Sequence, residues 1–534
     1  METLQRTANR GSVSTGYDVD NSLKLEADNT EIIYRANESG TNRKTFTTSL
    51  WFKRTELGAT QEVWHGGRNG ELVGIGMITY SGFADQLWID IGGGTGNTGT
   101  LYRSASTQKI RDTSAWYHVV LAVDTTQGTE ANRMKVWLNG VEVTSWAQHQ
   151  IPVQDYQSAL EAGADMAWGG FRPSNSELFS GYLAECHYLD GVAKVQTDFG
   201  EYDEDSGIWI PKKYTGTYGN NGCYMKYDDS SALGADSSGN GNTFTLVNIA
   251  AADQATDTPT NNFCTLNPLS YNVPYTATEG NTKMSKSDTT YGLASGTHYV
   301  GAGKWYWEIK ATDFGTYSSC AFGILDAAKT TVGPSENGYE DPSLAVTNPE
   351  ILAMTGSPNG WVMNSSSTIS NNGSTNSVDY TFNEGDILAF ALDMDNGGYW
   401  MGNSRYLGVA NGSFWIAPGG TSTSGSVATT DPSNGNYALV GDGGGTNNGT
   451  PNFNGGTITG GSLLTAGFTL VTPLLGAYHS NTTVTLEVNF GGFTSYGEDG
   501  GYSDANGHGN FAYAVPSGFY SLCSKNIGEF GGSG

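Results

Sequence analysis

Acidic residues at alternate positions of one strand are the arrangement in this sequence that could hydrolyse a glycosidic bond. Hydrolysis needs two carboxylates about 5 to 10 Å apart, one acting as an acid and the other as a nucleophile or base. The nearest approach to the acidic pattern E-x-D-x-x-E is Glu384 and Asp386. The third acidic position of that pattern is occupied by Ala389. The sequence also contains no Gly-x-Ser-x-Gly elbow and no phosphate-binding loop. It therefore predicts a protein that is not an enzyme.

Two loops resemble ligand-binding loops in their letters alone. Residues 94–99 match the dinucleotide fingerprint, but residues 100–103 do not open a helix, so no helix N-terminus awaits a pyrophosphate. Residues 393–398 begin like a calcium loop, but its twelfth position is Ser404 where glutamate is required. We interpret the first as a hairpin loop and the second as a tight turn. The sequence calls for no cofactor; calcium binding elsewhere stays open, and no metal ligand is assigned.

The histidines and cysteines favour structural roles. His118 and His187 alternate with apolar residues in predicted strands, which is typical of packed partners rather than of bases. The five cysteines are far apart, odd in number and without a C-x-x-C pair, which indicates neither a disulfide framework nor a zinc site.

Aromatic residues invite a sugar-stacking interpretation, because an aromatic ring can cover the C–H face of a sugar. Most of the 13 tryptophans and 29 tyrosines, however, occupy strand positions typical of core packing. Side chains in loops are better candidates for surface binding: His65, Arg68 and Asn69 at a predicted turn, and Tyr437 and Phe453 in a glycine-rich stretch. These loop aromatics either contact a ligand or pack their loops onto the protein.

Composition sets limits on the partners. The 534 residues carry 26 Lys and Arg against 53 Asp and Glu, a net charge of −27, so nucleic acid and anionic bilayers would be repelled. No stretch approaches the roughly 18 apolar residues of a membrane helix, and the opening residues lack the apolar core of a secretory signal. We therefore expect neither nucleic-acid binding nor membrane insertion.

The elements that must position these residues are short strands. Alternating, β-branched or aromatic runs bounded by Gly, Asn or Asp recur along the chain. The clearest signal is at residues 134–143, where Asn139-Gly140 joins two such runs and favours a type I′ turn. Only residues 154–167 suggest a helix. The fold class predicted is all-β, with two antiparallel jelly-roll sandwiches in tandem joined by a turn-rich connector.

Composition shifts divide the chain. We expect an N-terminal arm at 1–20, a first sandwich at 21–200, a connector at 201–261 and a second sandwich at 262–534. Within the last, residues 419–463 are nearly all Gly, Ser, Thr and Asn, which predicts an insertion outside the sheets.

Four segments characterise the first sandwich: residues 46–53, residues 114–124, the turn at 139–140 and residues 179–185. In order and spacing these segments resemble the laminin-G-like branch of the concanavalin A-type lectin fold. The resemblance implies a two-sheet sandwich whose loop rims bind ligands.

Three segments characterise the second sandwich: residues 303–308, 385–393 and 488–491. These look like a SPRY-type domain, which is also a two-sheet antiparallel sandwich. The insertion 419–463 departs from that pattern, and it alters the edge at which such a domain would bind.

The tandem, with residues 208–216 and 511–519, is similar to virion-surface and fibre-like proteins of tailed bacteriophages. That resemblance implies a fibre, spike or decoration on the virion exterior, synthesised in the host cytoplasm, that adheres to host cell-surface glycans. It also implies a homotrimer, with residues 1–20 docking onto other virion proteins. Two alternatives stay open: a purely architectural capsid or tail component with no host ligand, and a glycan depolymerase.

Overall fold

The computed structural model describes the following residues: 16–37, 41–68, 71–79, 82–93, 100–172, 174–269, 275–287, 291–313, 319–326, 360–364, 368–371, 374–377, 383–404, 415, 432–434, 452–453, 456–457, 469–478, 483–496 and 500–531. The chain divides into two compact units between Asn262 and Phe263. Each unit has its own hydrophobic core.

The first unit is built almost entirely of strands. They are β1 (Ser22–Leu25), β2 (Ile32–Ala36), β3 (Thr45–Arg54), β4 (Gln61–Arg68), β5 (Glu71–Ile78), β6 (Gln86–Gly92), β7 (Leu101–Lys109), β8 (Trp116–Asp124), β9 (Met134–Leu138), β10 (Val141–Glu142), β11 (Trp146–Gln148), β12 (Asp165–Trp168), β13 (Gly181–Asp190), β14 (Gly200–Tyr202), β15 (Trp209–Pro211), β16 (Cys223–Met225), β17 (Thr245–Val247) and β18 (Gln254–Ala255). Short 3₁₀ turns lie at Ala27–Asn29, Glu130–Asn132, Gln196–Asp198 and Ala251–Asp253.

Two eight-stranded antiparallel sheets form this unit. The first sheet has the order β10-β9-β8-β3-β13-β1-β18, and β16 pairs with β13 beside that path. The second sheet has the order β11-β7-β6-β5-β4-β12-β2-β17. Strands β14 and β15 pair only with each other. The sandwich class predicted from the alternating pattern is confirmed.

Strand β5 shows how alternation builds the core between the two sheets. Val73, Ile75 and Met77 are buried in the core cluster of the first unit. Successive side chains of a strand point to opposite faces, so Gly74 and Gly76 lie on the outer face of the second sheet. The middle of this strand, at Gly74 and Gly76, therefore presents no side chain on the outer face.

The outer face of the first sheet is covered by an apolar layer. Val120, Trp137 and Leu189 on the sheet pack with Phe199 and Tyr214, which follow the last long strand. The turn-rich segment 201–261 also completes both sheets, because β16, β17 and β18 pair with β13, β2 and β1.

The predicted hairpin at residues 134–143 is confirmed. Asn139 and Gly140 both have positive φ, 48° and 79°, as a type I′ turn between β9 and β10 requires.

The predicted helix at residues 154–167 is wrong. This segment forms turns and then enters β12, and its amides bond to distant carbonyls. Asp155 N–H donates to Thr125 O, and Ser158 N–H donates to Arg43 O. Positive φ at Asp155 (61°) and Gly163 (73°) also excludes a continuous helix.

The second unit is a second two-sheet body. Its strands are β19 (Thr276–Thr278), β20 (Lys283–Lys286), β21 (Tyr291–Ser295), β22 (Lys304–Asp313), β23 (Ser319–Asp326), β24 (Gly360–Asn364), β25 (Thr368–Asn371), β26 (Ser374–Ser377), β27 (Ile387–Asp393), β28 (Gly398–Asn403), β29 (Asn452–Phe453), β30 (Gly456–Thr457), β31 (Val471–Tyr478), β32 (Val484–Asn489) and β33 (Tyr520–Ser521). A 3₁₀ turn lies at Pro432–Asn434, and one short helix, α1, spans Ser524–Phe530.

One sheet of this unit has the order β19-β20-β32-β22-β27-β28, and β33 joins β22 in parallel. The other has the order β21-β31-β23-β24-β25-β26, and β29 pairs with β30. Residues such as Trp305, Trp307, Phe322 and Phe390 are buried in its core. None of the helices in the described ranges combines the length and apolar character needed to cross a membrane.

Two predicted segments lie largely outside the described residues. Of the arm 1–20, residues 16–20 are described: Tyr17 O–H donates to Glu185 Oε2 at 2.8 Å, and the Val19 amide donates to Thr260 Oγ1 at 3.0 Å. Of the insertion 419–463, only residues 432–434, 452–453 and 456–457 are described.

Candidate functional site

The outer face of the second sheet in the first unit carries a row of paired residues that crosses six strands. Their core-facing neighbours on the same strands, such as Ile33, Trp64 and Ile89, belong to the core cluster. Alternation therefore places the row on the outer face. In order across the sheet, the row is Tyr34, Ala167, His65, Gly74, Asp90 and Arg103.

A β-bulge in β4 adds Glu62 to this face. Residues three apart in a regular strand point to opposite faces. The register of β4 against β5 shifts between Glu62 and Trp64, and both Val63 and Trp64 lie in the core. The extra residue brings Glu62 and His65 to the same side, where Glu62 Oε2 lies 3.0 Å from His65 Nδ1.

Gly74 provides the space that the Glu62 carboxylate occupies. A Cβ atom added to Gly74 would lie 3.0 Å from Glu62 Oε1. In the row, Gly74 lies between His65 on β4 and Asp90 on β6. The missing side chain therefore allows the Glu62 carboxylate to lie between these two groups.

The next pair in the row is a salt bridge. Arg103 Nε lies 3.2 Å from Asp90 Oδ1, and the Arg103 guanidinium lies over the Trp88 ring at 5.7 Å from its centroid. The Asp90 side chain is buried, whereas 38% of the Arg103 side chain is exposed. Arg103 is thus the accessible member of the pair.

The loop between β12 and β13 covers part of this face. The Glu62 amide donates to Glu177 O at 2.8 Å, and the Phe171 ring lies edge-on to the His65 ring with centroids 4.7 Å apart. Glu177 has a positive φ of 52° and an exposed side chain. We refer to Glu62, His65, Asp90, Arg103 and Glu177 as the outer-face cluster.

Each carboxylate of the cluster has a raised pKa. Burial raises the pKa of Glu62; His65 opposes the rise, and the Asp90 charge adds to it. Burial also raises the pKa of Glu177, where the Glu62 charge adds to the rise. At Asp90, burial again raises the pKa, against contacts from Trp88 and Arg103. The cluster holds more negative charge than its cations balance.

His65 has hydrogen-bonding capacity that the described residues do not use. Its side chain is fully buried, and neither ring nitrogen has a hydrogen-bond partner among the described residues. The Nδ1 contact to Glu62 Oε2 is short but not aligned as a hydrogen bond, and Glu62 Oε2 is also without a partner. Such groups are rare in native interiors.

The location predicted for His65 is wrong. It lies inside strand β4 and not at a surface turn. The glycines that suggested a turn are needed instead for close packing: a Cβ on Gly66 would lie 2.3 Å from Leu160, and one on Gly67 would lie 2.2 Å from Glu71 O.

The other predicted surface residues do not join His65. Arg68 is on the opposite face of β4, where its Nη2 donates to Ala162 O at 2.9 Å and its Nη1 pairs with Glu161 Oε1 at 3.1 Å. Asn69 and Tyr437 lie outside the described residues, and the backbone of Phe453 is in β29.

Four cluster members escaped the sequence prediction: Glu62, Asp90, Arg103 and Glu177. One signal was available in β5, where Gly74 and Gly76 alternate with the apolar residues 73, 75 and 77. Glycine in a strand interior often marks a close approach by another group.

The predicted structural role of His118 is borne out by its contacts. The buried ring stacks on Trp51 at 4.6 Å between centroids, its Nδ1 accepts from Trp209 Nε1 at 2.9 Å, and its Nε2 lies 2.9 Å from Ser49 Oγ. Burial, with a smaller effect of His187, lowers its pKa from 6.5 to about 3. His118 therefore stays neutral at ordinary pH.

Other loops that suggested chemistry are occupied by internal contacts. Asp393 Oδ1 accepts from the amides of Asp395 and Asn396, and Asp393 Oδ2 pairs with Lys304 Nζ at 2.9 Å, which confirms a tight turn between β27 and β28. Loop 94–99 lies outside the described residues, but its flanking strands β6 and β7 pair antiparallel.

The five cysteines are buried and form no disulfide with one another: Cys186, Cys223, Cys264, Cys320 and Cys523. The described part of the chain contains no group of three or more His, Cys, Asp or Glu side chains arranged to hold a metal ion.

Comparison with known proteins finds one family model that matches part of the first sandwich. Residues 27–196 match Laminin_G_3, described as the concanavalin A-like lectin/glucanases superfamily. The matched range includes all five members of the outer-face cluster. No match is found among curated proteins.

Solved structures with a similar fold include the SPRY domain of human HERC1, which is 12% identical and covers 42% of this chain and 96% of its own, with a TM-score of 0.23. The heptameric SAP-like pentraxin of Limulus polyphemus is 14% identical, covering 34% and 80%, with a TM-score of 0.25. Domain 4 of the arabinanase AbnA from Geobacillus stearothermophilus, solved with arabinotriose, is 20% identical, covering 35% and 82%, with a TM-score of 0.24.

Proposed function

We propose that the first unit binds glycans at the outer-face cluster and does not transform them. The observation that carries this proposal is His65, a buried imidazole within a charged cluster whose ring nitrogens have no hydrogen-bond partner among the described residues. A ligand that brings hydroxyl groups would supply those partners. The lectin and glucanase description of the family that matches residues 27–196 supports a carbohydrate as this ligand.

The cluster has the donor and acceptor types that sugar hydroxyls require. A hydroxyl both donates and accepts, a carboxylate accepts, and a guanidinium donates from a planar fork. Arg103 and Glu177 are the accessible groups, while Glu62, His65 and Asp90 lie beneath them. Recognition would thus combine two outer contacts with a buried polar floor.

Binding without hydrolysis is the outcome that these contacts favour. Asp90 is paired with Arg103, and Glu62 lies against His65, so neither carboxylate stands unopposed as a nucleophile. A hydrolase needs an acid and a second carboxylate that both face the bond. Incubating the full chain with host polysaccharide should release no new reducing ends, and their release would show that the protein is a depolymerase.

Glycan-array binding of the full chain tests the proposal directly. We expect the wild-type protein to bind, and Glu62→Gln to weaken binding at least about tenfold, because one buried charged partner of the ligand is lost. Glu142→Gln is the matched control, since Glu142 lies on the exposed strand β10, far along the sequence from the cluster, and pairs with Lys135. Equal binding by wild type and Glu62→Gln would refute the site.

The biological setting is a further part of the proposal. The tandem resemblance and the charge of −27 favour a protein on the outside of a tailed bacteriophage, where several copies adhere to host glycans. Residues 1–20 would dock onto the particle, and a homotrimer would raise avidity. Cryo-electron microscopy of particles tests this placement; light scattering that shows a stable monomer would contradict the trimer.

The alternative candidate is an architectural component of a capsid or tail. It is favoured by the number of buried polar contacts that serve packing alone, such as those of His118 and Asp393. An array on which no glycan binds, together with the protein ordered within the particle, would support this alternative.

A further inference from the structure

We infer that the outer-face cluster prefers glycans bearing free amino groups and rejects acidic glycans. This inference rests on the proposed glycan binding and adds the charge class of the ligand. The observations behind it are the balance of charges in the cluster and the exposed, unpaired carboxylate of Glu177.

Three carboxylates face two cationic or potentially cationic groups. Glu62 comes from β4, Asp90 from β6 and Glu177 from the loop between β12 and β13; Arg103 comes from β7 and His65 from β4. Arg103 is already paired with Asp90 at 3.2 Å. His65 lies beside Glu62 and is fully buried.

Glu177 forms no ion pair or hydrogen bond through its carboxylate with any described residue, although part of its side chain is exposed. Partial burial raises its pKa most and the Glu62 charge adds to the rise, while His65 and Arg103 oppose it without reversing it. An ammonium group that entered beside Glu177 would relieve this repulsion.

The second, independent observation is the unused hydrogen-bonding capacity below Glu177. Glu62 Oε2 and both ring nitrogens of His65 are buried and without hydrogen-bond partners among the described residues. The Glu62 amide donates to Glu177 O, so the two residues are joined directly through the backbone. A ligand at Glu177 therefore stands next to polar atoms that lack partners.

An acidic sugar would meet the opposite situation. Its carboxylate or sulfate would approach Glu177 and Glu62, and like charges in a partly buried site repel strongly. Arg103 is a cation that an acidic sugar would have to share with Asp90, which accepts from its Nε, and with Glu177, whose pKa it lowers. Specificity would thus arise partly from repulsion of the wrong ligand.

Three hexasaccharides of equal length test this inference on the full chain: glucosamine (cationic), N-acetylglucosamine (neutral) and galacturonic acid (anionic). Calorimetry at about pH 5.5 keeps most of the sugar amines protonated and carboxylates of ordinary pKa ionised. We expect the glucosamine hexamer to bind at least about tenfold more tightly than the galacturonic acid hexamer, with the neutral hexamer between them. Raising the salt from about 0.05 to 0.3 M should weaken only the cationic ligand's advantage.

Variants separate the charge effect from folding. Glu177→Gln should remove the preference for glucosamine while the N-acetylglucosamine hexamer still binds, because the exposed site keeps its shape. Glu142→Gln should leave the order unchanged. Retained preference in Glu177→Gln would overturn the assignment to this residue.

The results also distinguish this inference from the proposed function. If the galacturonic acid hexamer binds as tightly as the glucosamine hexamer, the charge preference is refuted while glycan binding stands. If no hexamer binds and the glycan array is negative, the proposed function itself fails and the inference falls with it.

Discussion

At the scale of single residues, two glycines on one strand should behave very differently when a methyl group is added. Gly74 and Gly76 share the outer face of β5, but a Cβ on Gly74 would meet the end of the Glu62 side chain, whereas one on Gly76 would lie 2.4 Å from Gln61 O. A carboxylate can move and a backbone carbonyl cannot. We expect Gly76→Ala to lower the free energy of unfolding by more than about 2 kcal/mol.

Gly74→Ala should instead cost less than about 1 kcal/mol in urea unfolding and yet weaken glycan binding. Gly128→Ala is the control for both, because an added Cβ there has no atom within 4 Å and its φ is not in the left-handed region. Equal destabilisation by Gly74→Ala and Gly76→Ala would contradict this account.

His118 should make the stability depend on pH. Its pKa is about 3 in the folded protein and 6.5 as the ordinary value, so the unfolded chain binds a proton first as the pH falls. The folded state is therefore destabilised progressively below pH 6.5, by about 3 kcal/mol at pH 4. A proton on Nδ1 would also make this nitrogen a donor, which would then face the donating Trp209 Nε1–H.

His118→Gln removes this titration and keeps a polar side chain. Urea unfolding of wild type and variant from pH 7 to pH 4 should show that the wild type loses more stability than the variant. Carboxylates with raised pKa, such as Glu62, change stability in the opposite direction, but they act equally in both proteins and cancel in the difference. Parallel pH profiles would rule out a role for His118.

The residue scale also shows why sequence reasoning found His65 and missed its neighbours. His65 attracted attention as a polar aromatic beside glycines, but those glycines reflect contacts with Leu160 and Glu71, which are distant or across a hairpin. The approach of Glu62 to His65 depends on a bulge, and bulges have no reliable sequence signature. Row partners such as Asp90 are set by sheet register, which a single strand's sequence does not contain.

At the scale of elements, Glu308 on β22 holds the segment that follows β32 onto the second unit. Its Oε1 accepts from Tyr306 O–H and the Tyr513 amide, and its Oε2 accepts from the Ala512 amide. Glu308→Gln would place amide hydrogens against backbone N–H donors. We expect a loss of about 1 to 3 kcal/mol in the free energy of unfolding.

Limited proteolysis measures this loss locally, since residues 500–513 should become cleavable in Glu308→Gln. Glu384→Gln is the matched control, because Glu384 is exposed in the turn before β27. Cleavage that begins elsewhere, or no change in cleavage, would argue against this role for Glu308.

Elements were predictable where the signal is local. The Asn139-Gly140 turn needs positive φ at two adjacent residues, and the sequence provides residues that accept it. The helix predicted at residues 154–167 does not form because amides of this segment donate to the carbonyls of Thr125 and Arg43, which are far away in sequence. Local helical spacing cannot reveal such competitors.

At the scale of the whole molecule, the boundary of the first unit can be tested by where the chain is cut. Lys53 on β3 is fully buried, with its Nζ 2.7 Å from Asp257 Oδ2 and 2.8 Å from Asn262 Oδ1. Trp116 Nε1 donates to Asp257 Oδ1 at 3.0 Å. A fragment ending at residue 200 would lose the Lys53–Asp257 ion pair together with the residues that cover the Lys53 ammonium group.

A fragment of residues 16–262 should therefore unfold in one cooperative transition, whereas 16–200 should not, since the shorter fragment loses this ion pair and the core contacts of Cys223, Met225 and Phe244. The shorter fragment also loses β17 and β18, which leaves edges of both sheets unpaired. Circular dichroism and calorimetry of the two fragments provide the measurement.

Lys53→Met in the longer fragment separates these two causes. If the ion pair dominates, Lys53→Met in residues 16–262 should also abolish the cooperative transition, because it leaves Asp257 buried without its cation at a cost of about 3 to 5 kcal/mol. If it does not, the missing edge strands are the larger effect. A cooperative transition in the unmodified 16–200 fragment would show that neither contribution is needed, and that the sandwich closes without the turn-rich segment.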